Sequence, residues 1–216
     1  MNKMETKSST TFNALLREFH EWRLKEFPEY ATTADCHIYN HRLETLSLEK
    51  FDEYKIKAEE FLSNLQTIEK GTLGVSELDS HELLENHLRT IIEGYRWRYH
   101  SACNPVSFLE NTHINFKSFL IDATPFKTKE DFLGYVKRLE IIPIQVSEQI
   151  ILMREAMTRK TTLHRLSVER VPEQLTELLE VDMEEHPFYE PCTKYINGLD
   201  GIYIYSFSYY LNIFEF

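Results

Sequence analysis

Residues Thr124–Met157 read TPFKTKEDFLGYVKRLEIIPIQVSEQIILMREAM, and how this stretch is parsed sets the reading of the whole chain. Thr128 stands where a helix N-cap belongs, with Asp131 three residues on, the spacing of a reciprocal cap. Phe132, Tyr135, Val136 and Leu139 then follow at the period of a buried helix face. Pro143 lacks the N–H that an uninterrupted helix uses and suits the first turn of a new one. The expectation is therefore two helices packed as an antiparallel hairpin. The second should run to about Lys160 with Ile150, Ile151 and Met157 inward.

Working outward, the rest of the chain is similar in kind. Phe12, Leu15, Leu16, Phe19, Trp22 and Leu24 predict a first helix over Thr11–Phe27, stopped by Pro28. Glu29–Arg42 is irregular, with room for one helical turn at Tyr30–Ala34. Ser47 should cap a second helix, Leu48–Lys70, whose inward stripe is Phe51, Tyr54, Ala58, Phe61, Leu62, Leu65 and Ile68. Gly71 lies where a left-handed cap is expected. A third helix is predicted from Glu77 to Tyr99, with Ser76 as N-cap, Asp79 completing the box, and Leu84, Leu88, Ile91, Ile92 and Tyr95 inward.

His100–Lys127 is a long joint whose Phe108, Leu109, Ile114, Phe116, Phe119 and Leu120 should pack it down. A last helix should cover Ser167–Glu185, with Leu175, Leu178, Leu179 and Met183 inward and Pro172 in its first turn or kinking it. The segment after Ile196 differs from all of this. It has no Lys or Arg and carries Tyr203, Tyr205, Phe207, Tyr209, Tyr210, Phe214 and Phe216. It reads either as strand, since Ile202–Phe207 is rich in strand formers, or as sequence that did not evolve with the domain.

The fold expectation is mainly α: a bundle-like array of about six amphipathic helices joined by short loops and one long loop, with short strands an option in the aromatic tail. The division is a flexible stretch 1–10, a helical body 11–195 and an aberrant tail 196–216. With 14 Phe, 12 Tyr and 2 Trp there is enough large apolar side chain for a core. The few Gly and Pro, 6 and 7, suit long helices better than a turn-rich sandwich.

A formal net charge of −11, with basic residues interleaved with Glu, argues against a nucleic-acid partner, which needs clustered cations. No run of about 18 apolar residues predicts a spanning helix. The N-terminal MNKMETKSSTTF has no apolar core of a signal peptide. Cys36, Cys103 and Cys192 are odd in number and far apart, which fits no disulfide framework. A cytoplasmic location is the expectation.

Two histidine arrangements invite a metal reading. His81-Glu82-Leu83-Leu84-Glu85 approaches H-E-x-x-H, in which two histidines on one helix face bind zinc and the Glu acts as base. Here Glu85 occupies the second histidine position and His87 falls on another face, so an exposed helix face is the better reading. His37 and His41 stand four apart, yet in irregular surroundings that favour a surface or hydrogen-bonded pair. Glu184-Glu185-His186 reads as a solvated helix end, and Arg165, Glu169 and Arg170 as an ion-pair pattern with a substrate contact as the sharper alternative. There is no G-x-S-x-G, P-loop or G-x-G-x-x-G.

An ordered set of segments carries a family resemblance. These are FPEYATTADCHIYNHRLETLS (Phe27–Ser47), GYRWRY (Gly94–Tyr99), NPVSFLE (Asn104–Glu110), PFKTKEDFLGYVKRL (Pro125–Leu139), QVSEQIILMREAM (Gln145–Met157), VERVPEQL (Val168–Leu175) and HPFYEP (His186–Pro191). Together they resemble the N-terminal half of the domain of unknown function 885 family, over about Phe12–Tyr195. That family is similar to helical zinc metallopeptidases, and its members are longer, with an H-E-x-x-H helix and third ligand downstream of the matched region. Cys36 stands near where the family tends to have Gly-Asp before the histidine, and Pro172 interrupts a segment that is normally continuous helix.

The resemblance implies a truncated half of a peptidase-like hydrolase that shapes a substrate cleft without the zinc site, inactive alone. Zinc and a peptide substrate are implied for the longer members. No catalytic or metal-binding residue carries over. Asn104, His113 and Arg165 are the residues expected to touch a substrate, being polar groups on joints held by a helical scaffold. The alternative is a non-catalytic interaction module that docks through exposed apolar faces or the aromatic tail, with self-association through the same faces.

Overall fold

The structure is a computed structural model and describes residues 7–100, 102–109, 117–182 and 185–191. Expectations for the aromatic tail, His113, Ile114, Phe116, Met183, Glu184 and Cys192 fall outside the described residues. Within them the fold is helical throughout: α1 (Lys7–Glu26), α2 (Pro28–Thr33), α3 (Leu48–Gln66), α4 (Val75–Gly94), α5 (Lys129–Arg159), α6 (Arg165–Val168) and α7 (Val171–Leu179). Among the described residues there is no strand.

Helices α1, α3 and α4 enclose one core. Phe12, Phe19, Ala58, Phe61, Leu65, Leu84 and Leu88 meet at its centre, with Trp22, Ile91 and Ile92 at its margin. The apolar periods of all three helices are those expected from sequence. Ser47 caps α3, accepting from the Lys50 N–H at 3.2 Å. α1 is already helical at Lys7, ahead of the expected Thr11.

Two caps differ from expectation. Gly71 is not left-handed: α3 ends at Gln66 and a 3-10 turn, Lys70–Thr72, follows. α4 starts at Val75 because Glu77, not Asp79, reaches back, accepting from the Gly74 N–H at 2.9 Å. Glu77 also accepts from Ser9 and Asn13, so tertiary contacts with α1 select this register over the local Ser76 option.

The larger departure is at Pro143. α5 runs unbroken from Lys129 to Arg159 with Pro143 inside, so the expected hairpin does not form. The Thr128–Asp131 cap is as predicted, with the Asp131 N–H donating to Thr128 Oγ1 at 3.2 Å. Proline removes one ladder bond, which costs about 3 kcal/mol in a free helix. Anchors on both sides offset this. Ile142 is buried in a cluster with Leu120, Phe132, Tyr135 and Leu139. Beyond the proline, Gln145 Nε2 donates to Glu29 Oε1 at 3.0 Å and to Glu44 O at 2.9 Å. The helix is thus held on the same layer before and after the break. It ends at Lys160, in left-handed conformation with φ 59°.

The second half of α5 is inverted relative to expectation. Gln145, Gln149, Leu152 and Ala156 face inward, whereas Ile144, Ile150, Ile151 and Met157 are exposed. α7 repeats the pattern: Pro172 lies in its first turn, Val171 is buried, and Leu175 and Leu179 face out, Leu179 at 82% exposure. The expected single helix over Ser167–Glu185 is two helices, α6 and α7. No helix among the described residues is long and apolar enough to cross a membrane.

The joint before α5 is packed down where it is described. Lys117–Asp122 forms a π-helical turn that buries Phe119, Leu120 and Ile121. Leu109 is exposed, against expectation, and Cys103 is buried beside Leu152 and Ala156.

Candidate functional site

The chemistry of this fold concentrates where the segment between α2 and α3 lies along the inner face of α5. Gly134, Arg138, Gln145 and Glu148 stand at helical spacings of four, seven and three, which places them along one side of the helix. At Gly134 the segment comes so close that an added Cβ would lie 3.2 Å from Asn40 O. Asn40 is itself buried, its Oδ1 accepting from the Thr32 hydroxyl at 2.8 Å.

Arg138 is the deepest group of the seam, with 0% exposure. Its Nε donates to Arg42 O at 2.8 Å, and its Nη2 to Thr32 Oγ1 at 2.7 Å and Pro28 O at 3.0 Å. Nη1 is buried without a hydrogen-bond partner among the described residues. Burial pulls the guanidinium down to about 10, opposed by the Glu29 carboxylate, so Arg138 is a cation at neutral pH.

Along the helix the seam turns acidic. Both Glu29 oxygens lie 3.0 Å from the Glu44 N–H that donates to them, and Gln145 bridges Glu29 to the Glu44 carbonyl. Glu148 accepts from the Leu46 N–H at 2.9 Å. Burial pushes the Glu44 carboxyl up to about 8, Glu29 adds to the push, the Tyr54 hydroxyl at 3.5 Å opposes it, and Glu26 adds a little more. Burial likewise raises Tyr54, followed by the nearby Glu44 and Glu26 charges. Lys50 pairs with Glu26 at 3.0 Å. This arrangement positions a loop on α5 beside a carboxyl, Glu44, whose pKa is raised.

Of the residues expected to meet a substrate, Asn104 and Arg165 have their partners outside this seam. The Asn104 amide is committed within the protein: Nδ2 donates to His100 O and Thr161 O, both at 2.9 Å, while Oδ1 accepts from the Leu163 N–H at 3.2 Å. Arg165 is a surface residue whose Nε lies 3.3 Å from Glu169 Oε2. His113 lies outside the described residues. The structure therefore does not bring these three together in one described site.

Neither His81 nor His37 belongs to a zinc ligand set among the described residues. His81 is buried in the three-helix core, stacked on Phe12 with centroids 5.7 Å apart, and its Nδ1 is 3.8 Å from Glu85 Oε2. Glu85 is held by Lys70 at 2.9 Å and Arg89 at 2.8 Å, which lower it to about 2. Two cations on that carboxylate oppose a third, divalent one. His37 sits in a 3-10 turn, so His41 does not share a helix face with it. Its Nε2 is 2.9 Å from Asp35 Oδ1 and its Nδ1 3.3 Å from Asn40 Nδ2. Among the described residues, no group of three or more His, Cys, Asp or Glu is placed to hold a metal ion.

Sequence reasoning missed the seam because its partners are remote: Gln145 is 116 residues from Glu29 and 101 from Glu44. The one local signal was the polar stripe Arg138, Gln145, Gln149 within an otherwise apolar helix.

A family model described as "Bacterial protein of unknown function (DUF885)" matches residues 28–200. No curated protein and no solved structure matches the chain.

Proposed function

We propose that this chain, which belongs to the DUF885 family, serves as the helical N-terminal half of a zinc-dependent peptidase-like hydrolase. It shapes the wall of a substrate cleft and carries no H-E-x-x-H of its own, so it is inactive alone. The observation that carries this reading is the uncovered apolar surface of α5 and α7. Ile144, Ile151 and Leu179 are 60%, 63% and 82% exposed. A strongly one-sided apolar helix is normally covered. Asn104, His113 and Arg165 are the proposed cleft contacts, with Asn104 acting by fixing the joint at Thr161–Leu163.

The test is paired. The chain and a longer family member containing H-E-x-x-H are assayed on a mixed peptide substrate, with and without chelator, and analysed for bound zinc. The expected result is chelator-sensitive cleavage by the longer protein only. Chelator-sensitive cleavage by this chain, or a zinc-loaded longer member with no hydrolytic activity, contradicts it.

A second reading is favoured by the closed three-helix core, in which Phe12, Ala58, Leu65 and Leu88 are 0% exposed. On that reading the chain is a self-sufficient helical interaction module. A stable monomer that needs no further polypeptide supports it over the first.

A further inference from the structure

One side of α1 borders a groove of about 580 Å³. Asn13, Leu16, Arg17, His20 and Arg23 line it, at the spacings that set residues along one side of a helix. Its apolar part is Leu16 and Phe19, which also belong to the three-helix core. There Phe19 meets Phe61 edge-on with centroids 5.3 Å apart, and the His87 ring of α4 at 5.8 Å. Arg17 and His20 are exposed. Arg23 is fixed at one end, its guanidinium 3.9 Å from the centroid of the Tyr30 ring. At the other end Asn13 Nδ2 donates to Glu77 Oε1 at 3.2 Å. That carboxylate is already engaged, since it also accepts from the Ser9 hydroxyl and the Gly74 N–H.

The charge of this groove runs against that of the chain. The formal net charge is −11, and Lys50, Lys70, Arg89 and Lys137 each pair with a glutamate. Arg17 and His20 pair with no carboxylate among the described residues, and no acid is among the described residues that line the groove. We propose that the groove binds a small organic carboxylate with an apolar body. Arg17 presents a planar fork that matches a carboxylate with two parallel hydrogen bonds. His20 adds a ring N–H donor one turn further on. Arg23, already stacked on Tyr30, supplies a fixed positive charge beside them. Leu16 and Phe19 cover the apolar body and remove it from water. The volume lies within the range of small-molecule sites, roughly 300–1,000 Å³. The groove belongs to α1, ahead of the residues 28–200 that carry the family match, and is separate from the α5 and α7 faces on which the proposed function rests.

The test is titration of the full chain, followed by its amide NMR spectrum, with three probes: phenylbutyrate, the uncharged phenylbutyramide and inorganic phosphate. Phenylbutyrate should bind with saturable shifts centred on Asn13–Arg23, and the other two should bind at least about tenfold more weakly, each lacking one half of the recognised chemistry. The double variant Arg17→Gln, His20→Gln changes two exposed side chains, so its circular dichroism should match the wild type while its affinity for phenylbutyrate falls about tenfold. Four results overturn the proposal: no saturable binding of phenylbutyrate, equal binding of the amide or of phosphate, shifts centred on another part of the chain, or unchanged affinity in a folded double variant.

Discussion

Arg138 Nη2 donates to the Thr32 hydroxyl at 2.7 Å across 106 residues of chain, with both side chains buried. The same guanidinium holds the carbonyls of Pro28 and Arg42. It is the cross-link that joins the α1–α2 corner to the long helix. Arg138→Met removes the donor to Arg42 O, Pro28 O and the Thr32 hydroxyl and should cost about 3 kcal/mol. Arg138→Lys should restore little, since a single ammonium cannot reproduce the fork. Urea denaturation measures both; two variants with wild-type midpoints would contradict the role.

Glycines at two helical positions should respond oppositely to alanine. Gly94, at the end of α4, has nothing within 4 Å of an added Cβ, so Gly94→Ala should stabilise by up to about 1 kcal/mol. At Gly134 the new methyl would press on Asn40 O and C at 3.2 and 3.3 Å, both backbone atoms. There the gain in helix propensity is spent on moving the segment, and Gly134→Ala should destabilise by about 1 kcal/mol. Thermal melts of the pair separate the effects.

His81 should be better replaced than kept as far as stability goes. Both ring nitrogens are buried without a hydrogen-bond partner among the described residues. His81→Phe retains the packing on Phe12 and removes the desolvated polar atoms, for a gain of about 1 kcal/mol. A loss of similar size by denaturant titration would show that the imidazole has a role the core geometry does not reveal.

Two carboxyls should give the stability–pH profile opposite slopes. Glu85 is lowered to about 2 by hydrogen bonds from Lys70 and Arg89, so its contribution is present above 4.5 and lost as pH falls toward 2. Glu44 is raised to about 8, so its contribution is full below 4.5 and lost as pH rises to about 8. Chemical denaturation across this range should show Glu85→Gln removing part of the acid limb and Glu44→Gln flattening the neutral one.

Two of the helix caps and the periods of the first three long helices were legible in the sequence. Ser47 and Thr128 cap the helices they were expected to cap, and the faces of α1, α3 and α4 bury the residues their spacing indicates. The family was legible too, from segments that are each short but keep one order. Pro143 was misread because what keeps α5 continuous is tertiary: Gln145 is tied to Glu29 and Glu44, and no local pattern encodes those partners. The same ties turn Gln145 and Gln149 inward, which forces Ile144, Ile150 and Ile151 outward despite their apolar spacing. On α7 the period was real, and Leu175 and Leu179 do share an apolar face, but that face is uncovered. Periodicity reports that a face wants cover, not whether this chain supplies it.

The central claim is that the apolar faces of α5 and α7 await a covering surface, and sedimentation analysis over a range of concentrations tests it most directly. The wild-type chain should self-associate reversibly as concentration rises, because its own copies are then the available cover. The double variant Ile151→Glu, Leu179→Glu should stay monomeric with the same helical circular dichroism and the same denaturation midpoint. A wild-type chain that remains monomeric throughout, or a double variant that loses helix and stability, would contradict the account.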